Sequence, residues 1–223
     1  ELESIREAQV INFLDNSKID WMLFTSPLEY GNPFRIEWFQ SVHTAAVIYD
    51  LIPLAFPEQC LFDERYKSDY MDSLEFIKGV DLLRSISQFT KDDIVRRLGI
   101  PEKKIKAIMA GIDPRYLAVH NPGLTDLQKR FPLCDHYFLF AGGIHFKKNI
   151  ERIITAYGAI PPQYRKNTML VIAGKADPST IQHYMDEAEK ARVGESVICT
   201  NYISDSELMS LYCNACALVY PSL

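Results

Sequence analysis

The chain has 223 residues, 48% of them apolar, and sets 24 basic against 29 acidic residues for a net charge of −5. That apolar share can bury a sizeable core, the acid excess argues against nucleic acid as a partner, and no run approaches the roughly 20 apolar residues of a membrane span. Five cysteines, an odd number at irregular spacing, suit a reducing, cytoplasmic compartment better than a disulfide framework.

Leu2, Ile5, Val10, Phe13 and Leu14 fall at helical spacing, so residues 2–15 read as an amphipathic helix. The chain opens on Glu1 without Met, inside this pattern, as a portion of a longer protein would. Residues 20–25 form a short strand, and a Pro/Gly-broken loop over residues 26–34 leaves its carboxyl end. A second buried strand spans residues 45–49 and leads to Asp50 and the loop LIPLAFPEQ. Helix 64–78, strand 81–85, helix 91–98 and strand 104–109 complete a first alternation, which signals a parallel sheet covered on both faces. Residues 113–125, with Pro114, Asn121, Pro122 and Gly123, read as a linker between domains 1–118 and 119–223.

The second alternation starts with residues 137–149, YFLFAGGIHFKKN. An aromatic-rich strand over 137–141 meets Gly142-Gly143, where the backbone can turn sharply and approach a ligand closely. Asn149 stands where it would cap a helix carrying Ile150, Ile153, Ile154, Ala156 and Tyr157 on one apolar face. With Lys147 and Lys148 at the mouth, free N–H groups and the helix dipole would favour an anion such as phosphate. The same residues equally suit an ordinary βα turn with solvated lysines. Strand 168–173, helix 179–190, strand 196–200, a helix 205–214 capped at Asp205, and strand 217–220 follow. The sequence then stops at Pro221-Ser222-Leu223 with no covering helix, so the second domain is expected to be incomplete. Two doubly wound α/β domains of this kind put their strand carboxyl ends across a cleft, which leaves dehydrogenases, kinases, binding proteins and glycosyl transferases all open.

The order of segments resembles the retaining, nucleotide-sugar-dependent glycosyltransferases of family four, which have the two-Rossmann GT-B fold. The resemblance rests on residues 25–33 (TSPLEYGNP), 47–53 (VIYDLIP), 85–100 (SISQFTKDDIVRRLGI), 141–149, 170–174 (LVIAG) and 202–223, in family order. It is nearest to bacterial members that build surface polysaccharide, often mannosyl transferases. It implies a hexosyltransferase that moves a sugar, mannose among the candidates, from a GDP- or UDP-linked donor to a glycan or lipid-linked acceptor. Retention at the anomeric carbon, no cofactor and no metal are implied with it, and a lipid-linked acceptor would place the protein at the inner face of the membrane. Carried over by residue, the donor diphosphate falls on Gly142, Gly143, Lys147 and Lys148, and the nucleotide base beside Tyr202 and Ile203. Asp50 and Lys148 become the candidate catalytic residues. Lys147 stands where many members have arginine, and keeps the charge without the bidentate fork. The family's acidic motif would follow directly after PSL, beyond Leu223, so a fragment inactive alone is expected. The missing motif keeps a second reading open, a non-catalytic nucleotide- or sugar-binding module. A dehydrogenase is disfavoured, because no G-x-G-x-x-G follows any strand.

Other residues have plainer readings. Cys213 and Cys216 are expected to pack in the core, since no second Cys/His pair has zinc spacing. His145 could touch the donor or stand solvated in its loop. His43 is expected to be structural, and Trp21, Trp38 and Phe39 to pack the core.

Overall fold

The computed structural model of the chain describes residues 2–29, 34–117 and 123–223. Residues 30–33 of the expected first loop, residues 118–122 of the expected linker and the expected boundary between 118 and 119 lie outside the described residues. The chain forms two compact units, Glu1–Gly111 and Ile112–Leu223.

In the first unit, β1 (Trp21–Phe24), β2 (His43–Ile48), β3 (Leu82–Ser85) and β4 (Ile105–Ala107) form a parallel sheet in the order β1-β2-β3-β4. Its register sets Phe24, Ala46, Leu83 and Ile105 in one buried row. Leu74 and Ile77 of helix Glu64–Gly79 share that core, as does Ile94 of helix Gln88–Leu98. Each helix begins at a side chain that accepts an orphan N–H: Asp63 from Tyr66 at 2.7 Å and Ser87 from Thr90 at 3.0 Å.

Three expectations change here. Trp38 and Phe39 are buried, but Trp21 is half exposed and packs on His43 with centroids 4.9 Å apart. Among its described side chains helix Leu2–Ser17 buries only Leu14, while Ile5 and Phe13 stay exposed. The sheet is packed on one face rather than two, since Ala45, Val47 and Leu82 are only half-buried and Leu23 is exposed. The strand order explains this: crossovers that all step in one direction place their helices on one side.

The second unit differs. Strands β5 (Tyr137–Ala141), β6 (Met169–Ala173), β7 (Val197–Asn201) and β8 (Ala217–Leu218) are parallel in the order β7-β6-β5-β8. The chain steps outward from β5 to β7, then returns past β5 to lay β8 on its other side. Alternating side chains divide between two cores. Phe140, Leu170 and Ile172 meet Ile150, Ile153, Ile154 and Tyr157 on one face. Tyr137, Leu139, Ala141, Met169 and Val171 meet Leu127 and Leu211 on the other. This unit is the doubly wound sheet that the sequence leads one to expect.

The last helix, Asp205–Asn214, is capped by Ser204 rather than Asp205. Ser204 accepts from the Glu207 N–H at 3.3 Å, and Glu207 accepts from the Ser204 N–H at 2.8 Å. The final strand is also shorter than expected, ending at Leu218 instead of Tyr220.

At the carboxyl ends of β5 and β6 two glycines meet. A β-carbon on Gly174 would stand 2.1 Å from the Gly142 carbonyl oxygen, a backbone atom that cannot turn aside. Gly174→Ala should therefore destabilise the protein by about 1–3 kcal/mol. Thermal melts followed by circular dichroism measure this, and an unchanged midpoint would show that the two exits are not packed as described.

Candidate functional site

The strand order of the second sheet reverses between β5 and β8, and open parallel sheets bind ligands beyond the carboxyl ends of strands at such a reversal. The loop that leaves β5 there is the glycine turn. Gly142 extends the ladder by donating its N–H to the Ala173 carbonyl at 2.9 Å, with a glycine-favouring φ of +156°. The N–H of Gly142 is thereby engaged in the protein, and the three that follow are not. Gly143, Ile144 and His145 donate to no partner among the described residues. Lys147 and Lys148 lie half-buried on the one-turn helix Phe146–Lys148 that follows.

Asn149 ends that turn in the left-handed conformation, φ +56°. It does not cap helix Ile150–Gly158 with its side chain, contrary to expectation. A left-handed backbone aims the side chain elsewhere: its Nδ2 donates to the Pro221 carbonyl at 3.3 Å, while its own carbonyl accepts from Arg152 at 3.1 Å. The segment leaving β8 is bound to the loop a second time, by the Leu223 N–H donating to the Lys147 carbonyl at 2.9 Å.

His145 is exposed, yet its imidazole pKa is pushed below 6.5 by partial desolvation and by the charges of Lys147 and Lys148. The loop thus concentrates positive charge within a chain that is acidic overall.

Farther along the same edge, the pairings Ala141 to Ala173 and Ala173 to Asn201 align the exits of β5, β6 and β7. Two strand spacings, about 10 Å, separate the first exit from the third. Asn201 is left-handed, φ +57°, and its Oδ1 accepts from Tyr202 at 2.8 Å and from Ala176 at 3.3 Å, which ties the β6 and β7 exits together. The Tyr202 ring is exposed and Ile203 is half-buried against the core.

The structure therefore brings Gly142, Gly143, Lys147 and Lys148 into one loop and sets Tyr202 and Ile203 on the same sheet edge. Asp50 belongs to the first unit, exposed beyond β2, where its Oδ1 accepts from the Ile52 N–H at 2.9 Å. Sequence reasoning missed Asn201 and Tyr220. An asparagine closing an apolar strand was the available signal for the first; for the second there was none, because YPSL reads as the end of a strand. Cys216 is exposed, 3.8 Å from His136 Nδ1, so core packing does not describe it, and Cys213 is half-buried. Among the described residues no helix is long and apolar enough to cross a membrane.

Residues 127–223, nearly all of the second unit, match the family described as glycosyl transferases group 1. The chain is similar to the serotype-specific mannosyltransferase WbdA of Escherichia coli, with 28% identity over 184 residues, which is 81% of this chain and 22% of WbdA. Among solved structures it resembles WaaG, a glycosyltransferase involved in lipopolysaccharide biosynthesis, with a TM-score of 0.69, 17% identity and coverage of 96% of this chain and 56% of that one. It also resembles Anabaena HepE in complex with UDP, with a TM-score of 0.69, 11% identity and coverage of 97% and 56%. The fold is that of the GT-B glycosyltransferases, built from Rossmann-like parallel sheets with flanking helices. The chain spans about a fifth of WbdA's length and about half of the two structures'.

The electrostatics of the glycine-turn loop can be read directly. In an NMR titration His145 should titrate below 6.5, and Lys148→Ala should raise its pKa by removing a like charge. A value that stays or falls in Lys148→Ala would contradict the loop's positive field.

Proposed function

We propose that the chain carries the donor-diphosphate site of a retaining glycosyltransferase, a hexosyltransferase that transfers a sugar from a GDP- or UDP-linked donor to a glycan or lipid-linked acceptor in polysaccharide synthesis. The observation that carries this reading is the loop at the strand-order reversal, with two lysines and three successive N–H groups that have no partner among the described residues. Mannose is the proposed sugar, supported by the name of WbdA. The HepE complex with UDP supports a nucleotide-linked donor. A lipid-linked acceptor would bring the protein to the inner face of the membrane.

In this reading Gly143, Ile144 and His145 give their N–H groups to the diphosphate, and Lys147 and Lys148 give charge. As the bond from the anomeric carbon to the diphosphate oxygen breaks, negative charge grows on the leaving group and an oxocarbenium-like centre forms at the sugar. Donors held in place before that moment stabilise the leaving group without reorganising. Lysine charge and the helix N-terminus supply this role with protein groups alone. Tyr202 and Ile203 are proposed beside the base, where the exposed Tyr202 ring offers a stacking face. Asp50 is the acceptor-side candidate.

Calorimetric titration with GDP, UDP and ADP tests the reading. One nucleoside diphosphate should bind, and Lys148→Ala should weaken it about ten- to a hundredfold, the worth of a charge-assisted hydrogen bond. Binding that is no weaker in Lys148→Ala would place the diphosphate elsewhere.

A further inference from the structure

Lysine is a flexible point charge, and holding its ammonium in one place costs rotamer entropy. A lysine that is to meet a diphosphate gains from a neighbour that holds it there beforehand. The structure contains such a neighbour in Tyr220. Strand β8 ends at Leu218, so Tyr220 is released from the ladder two residues on, beside the end of β5. Its ring stacks on Phe140, with centroids 5.3 Å apart and planes 12° from parallel. Phe140 is fully buried in the sheet's core and gives the ring a fixed support. The Lys148 Nζ stands 4.5 Å from the centroid of the same Tyr220 ring, within cation–π range.

The ring also limits the glycine turn. A β-carbon on Gly142 would lie 3.1 Å from the Tyr220 hydroxyl oxygen, so turn and ring are already in close contact. The residue before Tyr220 is held to β5, with the Val219 N–H donating to the Leu139 carbonyl at 2.8 Å, and those after it are held to the loop, with Asn149 Nδ2 donating to the Pro221 carbonyl and the Leu223 N–H to the Lys147 carbonyl. Tyr220 is thus supported by the stacked Phe140 and held by hydrogen bonds of the residues before and after it in the chain, with the lysine's charge against its ring.

We infer that Tyr220 is a positioning residue, whose ring holds the Lys148 ammonium at the mouth of the glycine turn ready for the diphosphate of a nucleoside-diphosphate ligand. The inference rests on the proposed diphosphate reading of the loop and adds to it the group that sets the lysine. The aromatic ring does this, and the hydroxyl is dispensable. Tyr220→Phe keeps the ring and should bind like the parent chain. Tyr220→Leu removes the cation–π contact and should weaken binding about two- to fivefold.

A double-mutant cycle makes the test specific. The tightest-binding of GDP, UDP and ADP is titrated calorimetrically into the parent chain, Tyr220→Phe, Tyr220→Leu, Lys148→Ala, and Lys148→Ala combined with Tyr220→Leu. The expected result is that Tyr220→Leu weakens binding when Lys148 is present and adds nothing when it is absent. Equal weakening in both backgrounds would mean that Tyr220 supports the loop's fold and not its lysine, and would overturn the inference. So would Tyr220→Leu binding as tightly as the parent, or Tyr220→Phe failing as Tyr220→Leu does. If Lys148→Ala itself leaves binding unchanged, the diphosphate reading falls and the inference with it; if only the Tyr220 variants are silent, the inference falls alone. Melting curves of each variant show whether a loss of binding is a loss of fold.

Discussion

The site depends on a backbone contact that only glycine permits. The Gly142 carbonyl occupies the place of a side chain on Gly174, so the exits of β5 and β6 lie closer together than any other residue at position 174 would allow. Gly142 can then return its N–H to Ala173 and prolong the ladder by one bond before the chain turns. With that N–H spent, the three that follow are left without partners among the described residues. Tight packing beneath thus leaves unpaired donors above. A larger residue at Gly174 would push the loop off the sheet, and the donors would lose their common setting.

The strand order adds the other wall. Because β8 returns past β5 instead of extending the sheet beyond β7, its exit segment runs beside the glycine turn. Two hydrogen bonds and an aromatic stack join them, from Pro221, Leu223 and Tyr220 to Asn149, Lys147 and Phe140. The first sheet has no such reversal among the described residues, and its order β1-β2-β3-β4 places no returning strand beside any exit. This difference in winding, more than any difference in composition, is why the candidate site belongs to the second unit. Charge follows the same logic: two lysines are gathered where donors already converge, and the imidazole of His145, lowered first by desolvation, is lowered further by their charge.

Much of the fold was legible in the amino-acid order, because its determinants are local. Apolar runs such as YFLFA and LVIAG announce buried strands, and GG before KKN announces a turn with charge at a helix start. What could not be read depends on partners far away in sequence. Tyr220 looked like strand, since nothing near it says that pairing with β5 ends at Leu218. Asn149 looked like an ordinary cap, and only Pro221, far along the chain, explains why its side chain turns away. Trp21 looked like core, although the face of the first sheet that would have to cover it is half open. At the last helix, Asp205 and Ser204 are equally good caps by residue type, and the reciprocal bonds with Glu207 decide for Ser204.

The most direct measurement is a crystal structure of the chain with the tightest-binding nucleoside diphosphate, at a resolution that places both phosphorus atoms. The expected result is a diphosphate about 3 Å from the N–H groups of Gly143 and its successors, with the Lys148 ammonium donating to it from beside the Tyr220 ring. A diphosphate held at the carboxyl edge of the first sheet, or anywhere away from the Gly142–Asn149 turn, would contradict the assignment of the site.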